Sequence, residues 1–77
     1  MTVVRERFER ERIIQIVKRL IELKLEFWKK GHREKPYSPE YYQLIWRSDG
    51  IEEALTVIDG FLNFDPEIHQ LIDDSRK

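Results

Sequence analysis

The chain has no cysteine, which excludes disulfides and any thiolate metal site. Its two histidines, His32 and His69, are too few and too far apart for a structural zinc site. No run of about 18 apolar residues occurs, so no membrane-spanning helix is expected. The opening MTVVRERFERER lacks the apolar core of a signal peptide. There is no glycine-rich phosphate loop, and no serine stands with a histidine at a suggestive position. The expectation is a cytoplasmic protein that is not an enzyme and carries no cofactor and no metal. Asp65, His69 and Asp73 share a helix face at i,i+4 spacing, but a surface histidine between two acids is the simpler account of them.

Shortage of length matters as much. Seventy-seven residues form one domain, 1–77, and a chain of that size buries only about 60% of the surface its unfolded form exposes. Such thin cores usually need disulfides, a metal or a partner chain. With the first two set aside, a partner chain is the expected helper.

Charge, by contrast, is plentiful. Lys, Arg, Asp and Glu make up 38% of the chain, yet the formal net charge is only −1. With 40% hydrophobic residues, this is not the composition of a disordered charged tail. The charge is also divided. Residues 1–36 hold eleven basic and six acidic side chains, and residues 37–77 hold three basic and nine acidic. The two segments suit each other, within one chain or between two copies.

Residues 3–30 contain no Gly or Pro, and their apolar positions recur with helical spacing. At 100° per residue, Ile13, Ile16, Leu20, Leu23 and Phe27 form one stripe. Ile14, Val17, Ile21, Leu25 and Trp28 form a second beside it. Together they span roughly 200° of helix surface, twice what docking on one core requires. The helix would be about 42 Å long, against a diameter of about 30 Å for a compact domain of this size. A second copy, antiparallel, is expected to cover the excess width, with Ile13, Ile16, Leu20, Leu23, Lys24 and Phe27 at the seam. Lys24 is the odd member, central in an apolar arc. It either snorkels to water or pairs with a carboxylate from the acidic half or from another chain.

The stretch FWKKGHREKPYSPEYY (27–42) reads as a corner between helices. Lys29 and Lys30 suit the negative end of a helix dipole, and Gly31 suits the left-handed position just past it. Pro36 pushes Lys35 into an extended conformation. Ser38-Pro39-Glu40 reads as an N-cap, a first-turn proline and a first-turn acid. The second helix carries Tyr41, Leu44 and Ile45 on one face, with Trp46 to the side. It either breaks at Ser48-Asp49-Gly50 or bends through it. Ile51, Ala54, Leu55, Ile58, Phe61 and Leu62 then point inward. Asp65-Pro66-Glu67 caps a last short helix bearing Ile68, Leu71 and Ile72.

The fold expected is therefore all-α: a small three- or four-helix domain with a long N-terminal helix and a folded-back C-terminal helical hairpin. A helix-turn-helix around Gly50 is disfavoured, because the following helix carries Glu52, Glu53 and Asp59 with no cation to meet phosphate. The expected function is a non-catalytic protein–protein interaction module, an adaptor, inhibitor or assembly factor, self-associating as a homodimer through its first helix. Trp28, His32, Arg33, Tyr42 and Trp46 are the candidate partner contacts, since aromatics with Arg are the composition of interface hot spots. Trp28, Tyr41 and Tyr37 sit at spacings that also suit the core. The alternative is nucleic-acid binding through the basic N-terminal helix. Its cations are interleaved with acids as i,i+4 pairs, Arg5–Glu9, Glu6–Arg10, Arg7–Glu11 and Glu26–Lys30, so nucleic acid is the weaker expectation.

Overall fold

Two short capping sequences set the helix boundaries. Ser38 adopts an extended conformation, and its side chain accepts a hydrogen bond from the Tyr41 N–H at 3.2 Å, with Pro39 and Glu40 in the first turn behind it. Asp65 repeats the device, accepting from the N–H groups of Glu67 and Ile68 ahead of Pro66. Each cap satisfies amide donors that a helix start otherwise leaves unpaired. The computed structural model describes the backbone of residues 2–77 and the side chains of residues 9–77. It contains α1 (Thr2–Arg33), α2 (Pro39–Leu62) and α3 (Pro66–Asp74), with no strand among the described residues. The protein is an all-α helical domain.

α1 and α2 form an antiparallel hairpin. Gly31 lies against Leu44 and Ile45 near the corner, Lys24 against Ser48 and Glu52 in the middle, and Arg10 against Asp65 at the far end. Ile14, Val17, Leu55, Ile68 and Ile72 are buried, and Ile13, Leu20, Ile21, Ile51, Ile58, Leu62 and Leu71 pack against them. Five buried aliphatic side chains, four of them fully so, at about 1.5–3 kcal/mol each, make a thin core.

Two expectations need correction, on Gly31 and on Ala54 and Phe61, and the open alternative at Gly50 is settled. Gly31 does not end α1 in a left-handed conformation: α1 runs on to Arg33, and no glycine has a positive φ. Its role is close approach. A Cβ there would stand 2.7 Å from Ile45 Cδ1 and 3.1 Å from Ile45 Cγ1, inside van der Waals contact. Gly50 does not break α2, which is continuous through it, so the helix-turn-helix loses its turn. Ala54 and Phe61 do not point inward; both are exposed, Phe61 by 78%.

The domain is also not a compact globule. Its Cα radius of gyration is 15.0 Å and its extents are 53 × 17 × 16 Å, against a radius of about 11 Å for a compact chain of this length. α1 is long because it is one strut of a rod whose other strut, α2, is 24 residues long.

α3 covers one open side of the hairpin, and only part of it. It starts at the ion pair between Arg10 and Asp65 and ends with Ser75 beside Lys24. Glu52, Thr56 and Asp59 of α2 turn toward it, meeting Arg76 and His69. Beyond Lys24, toward the corner, the rod is two helices thick. On the opposite side α1 and α2 have no third helix, and at 100° per residue that side receives Ile16, Leu20, Leu23 and Phe27 with Ile51, Ala54, Ile58 and Phe61. α2 therefore has apolar side chains on its outer face as well as its inner one, Trp46, Val57 and Phe61 all being exposed.

Candidate protein-binding surface at the corner

The turn from α1 into α2 is built by two backbone hydrogen bonds, Glu34 N–H to Gly31 O and Ser38 N–H to Lys35 O, both 3.1 Å. Tyr37 sits at the apex with φ 65°, the one non-glycine residue with a positive φ among the described residues. A left-handed conformation costs a side-chain-bearing residue about 1–2 kcal/mol. Its ring nevertheless stands 77% exposed, so neither backbone ease nor burial explains a tyrosine there.

From this apex a continuous series of ring contacts wraps the end of the rod. Trp28 meets His32 edge-on at a centroid separation of 4.1 Å, and His32 meets Tyr41 at 6.2 Å across the hairpin. Tyr37 touches Tyr41 and Tyr42 at 6.0 and 6.3 Å. Tyr41 and Tyr42 lie 5.3 Å apart, and Tyr42 and Trp46 lie 5.6 Å apart. Ring pairs at these separations and tilts hold one another in place. The expectation that Trp28 and Tyr37 belong to the core does not hold: Trp28 is 51% exposed. The reason is that α3 stops short of them. Tyr41 alone of the three is half-buried. Trp28, His32, Tyr42 and Trp46 are thus brought together. Arg33 is exposed but lies outside the series of ring contacts. Tyr37 and Leu25, both exposed, join the surface without having been singled out as contacts. The recurrence of Tyr42, Trp46, Val57 and Phe61 toward one side of α2, interleaved with Asp49 and Glu53, was the available signal.

Where α3 stops, an open cleft of about 490 Å³ lies between Lys24, Leu25, Trp28, Ser48, Asp49, Glu52 and residues 75–77. Its floor is polar and ordered. The Lys24 ammonium donates to Glu52 Oε2 at 2.8 Å, to Ser75 Oγ at 3.2 Å and to the Ser75 carbonyl at 3.3 Å. Lys24 is buried within its own hairpin, so it belongs to the internal seam rather than to the outward stripe expected for a dimer. The expectation of an ion pair with the acidic half is the one the structure bears out. Arg76 Nε reaches the other Glu52 oxygen at 2.6 Å. Partial burial pushes the Glu52 carboxyl up, but the hydrogen bonds from Lys24 and Arg76 outweigh it and hold it below the usual range. Ser48 Oγ donates to the Lys24 carbonyl at 3.1 Å. No buried side-chain nitrogen or oxygen among the described residues lacks a hydrogen-bond partner.

The remaining stripe residues divide. Ile13, Leu20, Leu23 and Phe27 are half-buried, Phe27 beneath the Arg47 guanidinium at 5.8 Å, whereas Ile16 is 55% exposed. Of the expected i,i+4 pairs, Glu26–Lys30 is made at 3.4 Å; those involving Arg5, Glu6 and Arg7 fall outside the described side chains. Arg10 pairs with Asp65 at 2.6 Å and Glu67 at 3.3 Å. That contact, with the helix-start amides, holds the Asp65 carboxyl below its usual range. His69 pairs with Asp59 at 2.8 Å, which raises its pKa. With Asp65 and His69 so engaged, no group of three or more His, Asp or Glu among the described residues is arranged to hold a metal ion. No described helix is long and apolar enough to cross a membrane.

In comparisons with protein-family models, curated proteins and solved structures, no match to this chain was found.

Proposed function

We propose that this chain is a non-catalytic protein-binding module of the cytoplasm, self-associating along α1 and docking another protein on the aromatic end of the rod. The observation that carries the reading is the belt of six rings joined by successive contacts, Trp28 to Trp46, at the end of the hairpin that α3 does not reach. Large aromatic rings already immobilised by their neighbours contribute contact area without losing much side-chain entropy on binding. The occupant that fits is an amphipathic helix with its apolar face on Leu25, Trp28 and the neighbouring exposed rings. The cleft beside Leu25 and Trp28 continues the trough in which α3 itself lies, and the rim offers Asp49 on one wall and Arg76 and Lys77 on another. Nucleic-acid binding through α1 has less support. Arg10, Arg19, Lys24 and Lys30 are each paired with a carboxylate, which leaves fewer cations to neutralise phosphates.

The test is quantitative co-purification from the native cells, comparing the wild type with Trp28→Ala/Trp46→Ala. Both rings are exposed, so the variant should keep its helicity and Tm. A protein held by the wild type and depleted at least tenfold with the variant supports the reading. Equal recovery of every partner by both forms refutes it, as does recovery of nucleic acid lost above about 0.2 M salt.

A further inference from the structure

We infer that the side of the hairpin facing away from α3 is covered by a second copy of this chain, with the two-fold axis running along the helices so that both corners lie at one end of a four-helix bundle. This deepens the self-association part of the proposed function and rests on it, but sets the two copies parallel, α1 against α2, rather than antiparallel as the sequence pattern suggested. The face is largely apolar on both helices, not on α1 alone, with Arg47 lying over Phe27 as its cation. Ile16 and Phe61 are exposed by 55% and 78%, and Ile13, Leu20, Ile51 and Ile58 are partly exposed although they pack on the core. Side-by-side overlap of two rods 53 Å long and 17 Å wide offers a footprint of roughly 900 Å² per protomer, against the about 800 Å² per partner of a standard interface.

Charge decides between the two symmetric ways of stacking such faces. Within residues 9–33 α1 carries eight Lys or Arg and four Glu, a balance of +4. α2 carries one Arg and five Asp or Glu, a balance of −4. Lys24 and Glu52 cancel each other inside the chain, and Arg10 and Asp59 are engaged on the α3 side with Asp65 and His69, which leaves +2 and −2. A two-fold axis perpendicular to the helices sets α1 on the other copy's α1 and α2 on its α2, like charge on like. An axis parallel to the helices sets α1 on the other copy's α2. Every neighbour around the bundle is then opposite in charge and antiparallel in direction, the geometry of an up-down-up-down bundle. Like-charge neighbours across an interface are disfavoured, so the parallel axis is the one this sequence selects. It has a functional consequence: two aromatic belts face the same way, and the dimer presents a bivalent surface.

The native chain has no cysteine, so one spin label can be placed cleanly by Lys35→Cys at the corner, and pulsed electron–electron resonance then reads the label separation. The parallel axis predicts a separation on the order of 20–30 Å, about the width of a four-helix bundle with its label linkers. A separation near the 53 Å length of the rod overturns the proposal. Light scattering without any other protein should give twice the 9.5 kDa chain mass; a monomer at every concentration also overturns it. Ile16→Glu/Phe61→Glu changes only exposed positions, so it should halve the mass while leaving the far-UV spectrum unchanged. An unaltered mass would assign the dimer to another face. Trp28→Ala/Trp46→Ala should stay dimeric, so loss of partner docking and loss of dimerisation remain separable.

Discussion

Replacing Lys24 with methionine keeps the aliphatic stem in its seam and removes the ammonium. Glu52 then loses a donor at 2.8 Å, and the Ser75 carbonyl and hydroxyl lose theirs at 3.3 and 3.2 Å. Breaking a buried ion pair by removing one partner costs about 3–5 kcal/mol. Two facts reduce that here: the Glu52 side chain is 35% exposed, and it retains Arg76. Discounted for solvent screening, the expected loss is about 1–2 kcal/mol. For a domain of this size that corresponds to a fall in Tm on the order of 4–16 °C. Thermal unfolding followed by circular dichroism at fixed protein concentration measures it, since a dimer's Tm depends on concentration. Glu52→Gln and the double variant complete a cycle, and the two substitutions should be non-additive by more than about 0.5 kcal/mol. A Lys24→Met protein as stable as the wild type, or an additive cycle, would refute the reasoning that this network pins α3 to the hairpin.

Two further outcomes are expected from local structure. Gly31→Ala gains about 1 kcal/mol of helix propensity but drives a Cβ into Ile45, so it should destabilise on balance by about 1 kcal/mol. Gly50→Ala meets nothing within 4 Å and should stabilise by about 0.5–1 kcal/mol; chemical denaturation midpoints compare the two. His69, whose pKa is raised first by its hydrogen bond to Asp59, contributes stability that is fully present below its unfolded pKa and lost as pH rises through the folded one. Asp59→Asn should therefore cost more Tm at pH 5.5 than at pH 9, and an NMR titration should show the His69 pKa falling on that substitution.

How much of this was legible in the sequence depended on how local the cause was. Ser38-Pro39-Glu40 and Asp65-Pro66-Glu67 start helices because each cap bonds to amides within three residues, and both are plain in the sequence. Gly31 and Gly50 were not legible. What a glycine does inside a helix is decided by what lies across from it, and Ile45 comes from the other strut. Lys24 announced itself as an inconsistency, but part of its answer, Ser75, lies 51 residues away. Trp28 and Tyr37 have the spacing of core residues; their exposure follows from where α3 stops, which helical periodicity does not encode. The candidate surface was thus visible as a composition and hidden as a geometry.

The hairpin register also bears on how the chain finds its fold. Gly31 and Ile45 meet across the shortest loop, Lys24 and Ser48 join residues 24 apart, and Arg10 and Asp65 join residues 55 apart. Each pair, once made, shortens the loop that the next must close, so the entropic cost of closure is met in small steps. The capped corner at Ser38 is the natural place for this to begin, and the struts can then zip away from it. Such an order of events belongs to chains of low contact order, which fold in microseconds to milliseconds. α3, whose anchors are the most distant in sequence, is then the last helix to dock and the first to detach.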